Sequence, residues 1–147
     1  MIKDLEQFKM DLSNFYKAVV VQEHSKLVKR ITIRLHQAIV AGCPENPLGT
    51  PVDTGWARAN WGVVLGRSVP TEPVGEHPVE GSPVLPVNEY FKDIVAIVET
   101  GREFPFYWVY NNVPYIEALE DGHSTQQAPT GMVANALNAV QTFIDKL

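Results

Sequence analysis

The sequence predicts an α+β domain in which a small antiparallel sheet packs against a long N-terminal helix and a C-terminal helix, with an extended proline-rich arm. Three observations predict this class. Apolar residues recur at steps of three and four near both ends of the chain, two short central segments have the composition of strands, and a proline-rich stretch lies between those segments. The 147 residues are enough for one core, so we expect a single domain over 1–147.

The first predicted element is a long amphipathic helix whose apolar stripe drifts near its middle. We expect a bend or break between Val19 and Glu23, and an end at Gly42 and Pro44. The stripe comprises Leu5, Phe8, Leu12, Phe15, Val19, Val20, His24, Leu27, Ile31, Leu35 and Ala38.

Polar and reactive residues of this first segment are predicted to have structural roles. His24 lies on the stripe without a second histidine or cysteine at ligand spacing, which favours a packed core histidine over a metal ligand. Cys43 is the single cysteine of the chain, and we interpret it as a small buried side chain near a helix end. A basic flank of the helix is interpreted as a solvated face and consists of Lys26, Lys29, Arg30 and Arg34.

A tight turn is predicted at Asp53, Thr54 and Gly55, because Asp accepts hydrogen bonds from nearby amides and Gly permits a positive φ. Alternation from Ala57 onward then predicts a strand. Its core face would carry Ala57, Ala59, Trp61, Val63 and Leu65. Its other face would carry Trp56, Arg58, Asn60 and Val64, a mixture typical of protein interfaces.

The stretch 67–87 is rich in proline and glycine and cannot form a regular sheet. A loop of this length within one domain is usually functional, so we interpret it as a projecting loop or arm suited to reaching a neighbouring molecule. A helix over Asn88–Thr100 follows, with Asn88 as the candidate N-cap and Gly101 at its end.

The segment 103–112 is predicted to be a strand that is apolar on both faces. One face carries Phe104, Phe106, Trp108 and Tyr110, and the other carries Tyr107 and Val109. Both faces need cover, and in so small a protein a second subunit could supply part of it. A short helix ending at Gly122 and a final helix with Thr130 as its N-cap complete the chain.

Composition and charge exclude several functions. The net charge is −5, with seven Lys or Arg against four Asp or Glu in 1–43 and five against thirteen in 44–147. No dense basic patch or nucleic-acid motif is present, which argues against sequence-specific DNA binding. The apolar runs are too short to span a bilayer and the N-terminal residues are charged, so we expect no membrane partner and no secretion signal.

The strongest enzymatic alternative is a small soluble hydrolase using Glu117, Glu120 and His123. Two carboxylates could divide acid and base roles, and Asp121 and Ser124 lie nearby in the sequence. Carboxylates three apart on a helix are, however, equally typical of a solvated face, and no phosphate-binding, zinc or triad motif is present. We therefore expect no catalytic residue, no cofactor and no metal.

Two segments carry a family resemblance. The first, TPVDTGWARANW, spans Thr50–Trp61, and the second, NNVPYIEALEDGHSTQQAPTGMV, spans Asn111–Val133. Together they resemble the signature blocks of tail-completion and neck proteins of long-tailed double-stranded DNA bacteriophages, a group that includes the minor tail protein Z type. Trp56 and Trp108 are further interface candidates. The residues that match the family are Asp53, Thr54, Gly55, Arg58, Trp61, Asn112, Tyr115, Glu120, Gly122, Ser124, Gln127, Pro129 and Gly131.

The resemblance implies a structural virion protein that forms a ring, generally of six copies, at the junction between head and tail. Its implied partners are other copies of itself, the tail tube protein and the head-connector or stopper protein, with DNA passing through the lumen without specific binding. The implied location is the virion, after assembly in the host cytoplasm. For the two segments that carry the resemblance, we hypothesise that Asp53 and Gly55 set a turn and that Arg58 pairs with Glu120. We also hypothesise that Ser124, Gln126 and Gln127 form hydrogen bonds with backbone groups.

Overall fold

The computed structural model describes residues 2–44, 46–66, 68–73, 91–124 and 128–147, without the side chains of Ile2, Lys3 and Lys92. Its fold is mixed helix and sheet, as predicted. The helices are α1 (Ile2–Phe15), α2 (Gln22–Ala41), α3 (Trp56–Ala59), α4 (Lys92–Thr100), α5 (Ile116–Glu120) and α6 (Val133–Ile144), and the strands are β1 (Gly62–Leu65) and β2 (Tyr107–Tyr110).

The long N-terminal helix is continuous, but its middle is a π-helical stretch over Tyr16–Val21 that joins α1 to α2. This irregularity overlaps the predicted bend. Val21 is the first buried residue of the helix, and Gly42 ends α2 with a positive φ of 108°. The helix therefore contributes to the core from Val21, the last residue of the π-helical stretch, onward.

The sheet is a two-stranded antiparallel pair in which Val63 lies opposite Val109 and Val64 lies opposite Trp108. Its inner face packs on α4, where Val63, Ile94 and Val98 form a buried cluster. The second cluster lies between α2, α6 and the loops, around Ile39, Val40, Trp61, Met132 and Ala136. The sheet thus packs mainly on α4 and on α2, and α6 packs on α2.

The predicted strand from Ala57 is wrong over its first part, because Trp56–Ala59 is a helical turn and β1 begins at Gly62. Asn60 closes the turn, since its side chain donates a 3.0 Å hydrogen bond to the carbonyl of Trp56. Small residues at alternate positions fit one helical turn as well as a strand, so alternation alone does not separate the two.

Of two side-chain predictions in α2, one is wrong and the other is incomplete. His24 is exposed and contacts the ring of Phe104 with centroids 4.9 Å apart, so it is not a core histidine. The basic flank is more than a solvated face: Arg30 and Arg34 lie over the ring of Phe143 at 5.3 and 4.5 Å, and Lys29 pairs with Glu99 at 3.3 Å. Cations of α2 thus help to hold α4 and α6.

Most of the predicted arm and the predicted cap Asn88 lie outside the described residues. The beginning of the arm, 68–73, has no regular secondary structure. It is fastened by Asn112, whose side-chain amide donates to the carbonyls of Pro70 and Glu72 at 2.7 and 3.2 Å.

Candidate functional site

In the turn before α3, Gly55 has the positive φ that the sequence predicted. Gly55 has a φ of 83°, and the amide of Trp56 donates to the hydroxyl of Thr54 at 3.4 Å. Asp53, the first residue of the predicted turn, is exposed, and Pro51 is buried. A residue with a Cβ would be strained at Gly55, so the turn depends on this glycine.

Arg58 holds the loop that precedes this turn. Its guanidinium donates from Nε and Nη2 to the carbonyl of Thr50, at 3.2 and 2.7 Å, and from Nη2 to the carbonyl of Leu48 at 3.0 Å. The Thr50 side chain is fully buried and donates to the carbonyl of Ile39 at 2.8 Å. Arg58 therefore fixes a loop that is itself tied to the end of α2.

The predicted pair between Arg58 and Glu120 is wrong, because the Glu120 carboxylate caps α6. Glu120 Oε2 accepts hydrogen bonds from the amides of Met132 and Val133 at 2.9 and 2.7 Å, and Oε1 accepts one from Ala134 at 2.9 Å. Carboxylates are favourable at a helix N-terminus, where amides have no partner within the helix. A residue twelve positions upstream thus performs the role that we assigned to Thr130.

Thr130 instead accepts a hydrogen bond from the Asn135 side chain at 3.0 Å. The helix begins after Met132, which has no side-chain cap of its own.

The glycines of the second block allow this cap to form. Gly131 has a φ of 78°, and a Cβ there would collide with the carbonyl oxygen of Glu120. Gly122 has a φ of 82°, ends α5 as predicted, and would collide through a Cβ with the carbonyl oxygen of Pro129. The spacing of Glu120, Gly122, Pro129 and Gly131 is therefore explained by one close crossing of two chain segments.

Ser124 and Ala128 bracket the loop between these segments, and the amide of Ala128 donates to the carbonyl of Ser124 at 2.9 Å. The roles proposed for Gln126 and Gln127 lie outside the described residues.

Two asparagines that we did not single out make long-range contacts here: Asn46 ties the loop before the first block to the second block, and Asn111 joins the two blocks. Asn46 is buried and donates from Nδ2 to the carbonyls of Gly49 and Gly131, at 3.0 and 3.3 Å. Asn111 donates from Nδ2 to the carbonyl of Ala57 at 2.7 Å and accepts from the amide of Val113 at 3.0 Å. Neither residue has a distinctive spacing, since these bonds cross 85 and 54 residues.

The two blocks line a cleft of about 290 Å³ that is open to solvent. Its wall includes Asp53, Trp56, Tyr115 and Ser124. The rings of Trp56 and Tyr115 lie 6.1 Å apart. Burial raises the pKa of the Tyr115 hydroxyl and the Asp53 carboxylate raises it further, while a hydrogen bond with the backbone of Ala57 opposes the shift. Tyr115 therefore stays protonated at neutral pH and is a hydrogen-bonding group rather than a base.

The residues of the hydrolase alternative are used differently. Both oxygens of Glu120 accept amide hydrogens, Glu117 is exposed, and His123 Nδ1 lies 2.7 Å from the carbonyl of Ala118. Within the described ranges, no cluster of three or more His, Cys, Asp or Glu residues could hold a metal ion.

Within the described part of the chain, apolar side chains are exposed together on the outer face of the sheet and on α1. The outer face of the sheet, defined here as Val64, Phe106, Trp108 and Tyr110, exposes Phe106 by 55% and Trp108 by 43%. Their rings meet edge to face at 5.4 Å. The stripe of α1 is uncovered as well, with more than half of Leu5, Phe8, Leu12 and Phe15 exposed. Of these surfaces, only the first was predicted to lack cover.

Comparisons with known proteins found no matching family model, no matching curated protein and no matching solved structure. Among the helices of the described segments, none has the length and apolar character to cross a membrane.

Proposed function

We propose that the protein is a structural virion protein of a tailed bacteriophage. In this proposal, copies of the chain form a ring, generally of six, at the junction of head and tail. The ring completes or terminates the tail and joins it to the head connector. Its partners are the tail tube protein and the connector or stopper protein, and its location is the virion.

The observation that carries the proposal is the exposed outer face of the sheet. A single soluble molecule rarely leaves a contiguous aromatic patch open unless that patch is a contact surface. Large aromatic side chains supply much of the binding free energy of protein interfaces. Phe106 and Trp108 are already in mutual contact. Trp108 lies on the paired strand β2 and Phe106 directly precedes that strand, so little ordering would oppose their burial.

The use of the block residues supports the same function. Arg58, Glu120, Gly122 and Gly131 hold loops together, and their side chains or backbone positions are used in that role. The cleft that they support is open to solvent and presents Asp53 and Tyr115 at its wall. Such a rigid loop cluster is suited to presenting a fixed surface to a neighbouring protein.

The charge balance supports a lumen that does not hold DNA. The part of the chain after residue 43 has thirteen acidic against five basic residues. An acidic wall repels phosphate and would let DNA pass without gripping it.

Native mass spectrometry and negative-stain imaging of the full chain, alone and with tail tubes, test this function. A closed ring is the expected result. Phe106→Asp should abolish the ring and leave the helical circular dichroism unchanged, because the side chain is already exposed. Leu137→Asp is the matched control, since Leu137 is similarly exposed at 51% but lies on α6. Absence of any ring, with or without tubes, would reject the proposal.

A further inference from the structure

We propose that α1 is an oligomerisation arm that packs in parallel and in register against α1 of a second copy of the chain. The contact rests on the ring proposed above for its supply of adjacent copies. Because the pair is two-fold symmetric, it joins the copies of a ring two by two. Its seam is defined here as Leu5, Phe8, Leu12 and Phe15.

The side chains of the seam are exposed to solvent. Its side chains are 53, 62, 55 and 56% exposed, and burial begins only at Val21. The polar side of α1 carries exposed pairs within the helix: Gln7 donates to Asp11 at 2.9 Å, and Lys9 uses one of its three donors on Glu6 at 2.8 Å. The helix therefore has one solvated side and one apolar side that lacks a partner.

The spacing of the seam indicates what kind of partner fits. Its residues follow steps of three, four and three, which places them at successive a and d positions of a heptad repeat. A stripe limited to a and d positions is narrower than the stripe of a helix that packs on a globular core. The seam is thus suited to another helix rather than to a broad surface.

Charges beside the seam favour the same helix from a second copy, in parallel. With Leu5 at a, Asp4 occupies a g position and Lys9 the following e position. Parallel helices place g of one chain near the next e of the other, so Asp4 would meet Lys9 of the second copy. In the antiparallel arrangement Asp4 would instead face Asp11 of the second copy, and the carboxylates would repel.

The base of α1 is held by aromatic contacts that give the arm a defined direction. Tyr16 contacts Phe104 with ring centroids 6.3 Å apart, and Phe104 also contacts His24 at 4.9 Å. Phe104 has a φ of 45°, which is uncommon for a bulky residue and is maintained here by its neighbours.

The size of the seam limits what it does alone. Four half-exposed apolar side chains offer on the order of 500 Å² per copy, less than the roughly 800 Å² per partner of a typical stable interface. Pairing of α1 is therefore weak between free molecules. It becomes effective where a ring already holds two copies together and raises their local concentration.

Disulfide trapping on the full chain tests the contact. In a Cys43→Ser background, Leu5→Cys is oxidised under mild conditions beside Met10→Cys, which is 59% exposed and lies on the opposite side of α1. In a parallel, in-register pair the two Leu5→Cys sites meet, so we expect about tenfold more disulfide-linked dimer than for Met10→Cys. Lys9→Asp should reduce the yield, and Asp4→Lys combined with Lys9→Asp should restore it.

Several results would overturn the proposal. Equal trapping of both cysteine variants would show random collision. In antiparallel helices Leu5 would lie near Phe15, leaving the two Leu5→Cys sites about 15 Å apart and producing dimers only when Leu5→Cys is mixed with Phe15→Cys. Protection of Leu5→Cys from alkylation without dimer formation would indicate a different occupant. The variants should retain wild-type circular dichroism, because these side chains are exposed.

Ring formation is scored separately by imaging the same samples. Rings without Leu5→Cys dimers overturn the α1 contact and leave the proposed function standing. Dimers without rings would support the α1 contact, overturn its dependence on the ring and count against the ring itself.

Discussion

Single polar residues, rather than the apolar pattern, decide how the loops of this protein are held. Glu120 replaces three missing hydrogen-bond acceptors at the start of α6, and Arg58 supplies three donors to the carbonyls of Thr50 and Leu48. A buried or half-buried backbone group without a partner costs free energy, so each of these side chains stabilises the chain beyond its own contact.

Glu120→Ala should lower the free energy of unfolding by about 2 kcal/mol, because three amides of α6 lose a charged acceptor. Glu120→Gln should cost less, since an amide oxygen still accepts. Urea denaturation measures both. Glu117→Ala, at an exposed position on the same helix, is the control and should change stability by less than about 0.5 kcal/mol. A Glu120→Ala variant as stable as this control would contradict the capping role.

His36 gives the protein a pH dependence. It is fully buried, its Nε2 lies 2.9 Å from the carbonyl of Trp61, and Nδ1 has no hydrogen-bond partner in the described part of the chain. Burial lowers the pKa of His36, and the hydrogen bond with Trp61 only partly opposes this. The folded chain therefore holds His36 neutral, whereas the unfolded chain protonates it near pH 6.5.

Because the unfolded state binds the extra proton, stability is fully present above pH 6.5 and falls as pH drops below it. The slope for one proton is about 1.4 kcal/mol per pH unit until the folded-state pKa is reached. His36→Gln keeps a donor for Trp61 and should remove this component of the slope. His123→Gln should retain it, because His123 is exposed. Equal pH profiles for the wild type and His36→Gln would contradict the assignment.

At the scale of elements, the sequence predicted the helix ends and turns that depend only on residues nearby in the chain. The helix end at Gly42, the turn at Gly55 and the end of α5 at Gly122 follow from local conformational preference. The cap of α6 could not be predicted in this way, since Glu120 and Val133 are brought together by tertiary structure. The early part of the expected strand was missed because one helical turn and a strand share its apolar pattern.

The apolar pattern of the sequence also could not predict that α1 is exposed. Its stripe has the same period as that of α2, but α2 meets α4 and α6 whereas α1 extends past them. Periodicity identifies the apolar side of a helix and does not identify its partner.

The crossing of α5 and the start of α6 predicts a further effect. Gly131→Ala should lower the free energy of unfolding by about 2 kcal/mol or more, because its Cβ would collide with the backbone of Glu120 at a positive φ. Gly66→Ala is the control: Gly66 also has a positive φ, of 110°, but a Cβ there meets nothing within 4 Å. Thermal denaturation compares them, and a loss at Gly131 no larger than at Gly66 would reject the close crossing.

At the scale of the whole molecule, the chain consists of a folded body and a helical arm with separate roles. The body has its buried clusters around Ile39 and Met132 and around Val63 and Val98. Residues 4–20 of the first helix are all exposed. Removing α1 should therefore leave folding unchanged and affect only association. Most core helices cannot be removed without loss of folding.

Deletion of residues 2–15 should change the free energy of unfolding of the monomer by less than about 1 kcal/mol, because residues 4–15 are all exposed and bury little surface in the body. The same deletion should lower the fraction of copies found in rings. Deletion of 133–147, which is similar in length, should unfold the body, since Ala136 and Val140 of α6 are buried. Chemical denaturation and native mass spectrometry measure the two effects. A deletion of 2–15 that unfolds the body would show that α1 belongs to the core, whereas full ring formation by the truncated chain would show that α1 is dispensable for assembly.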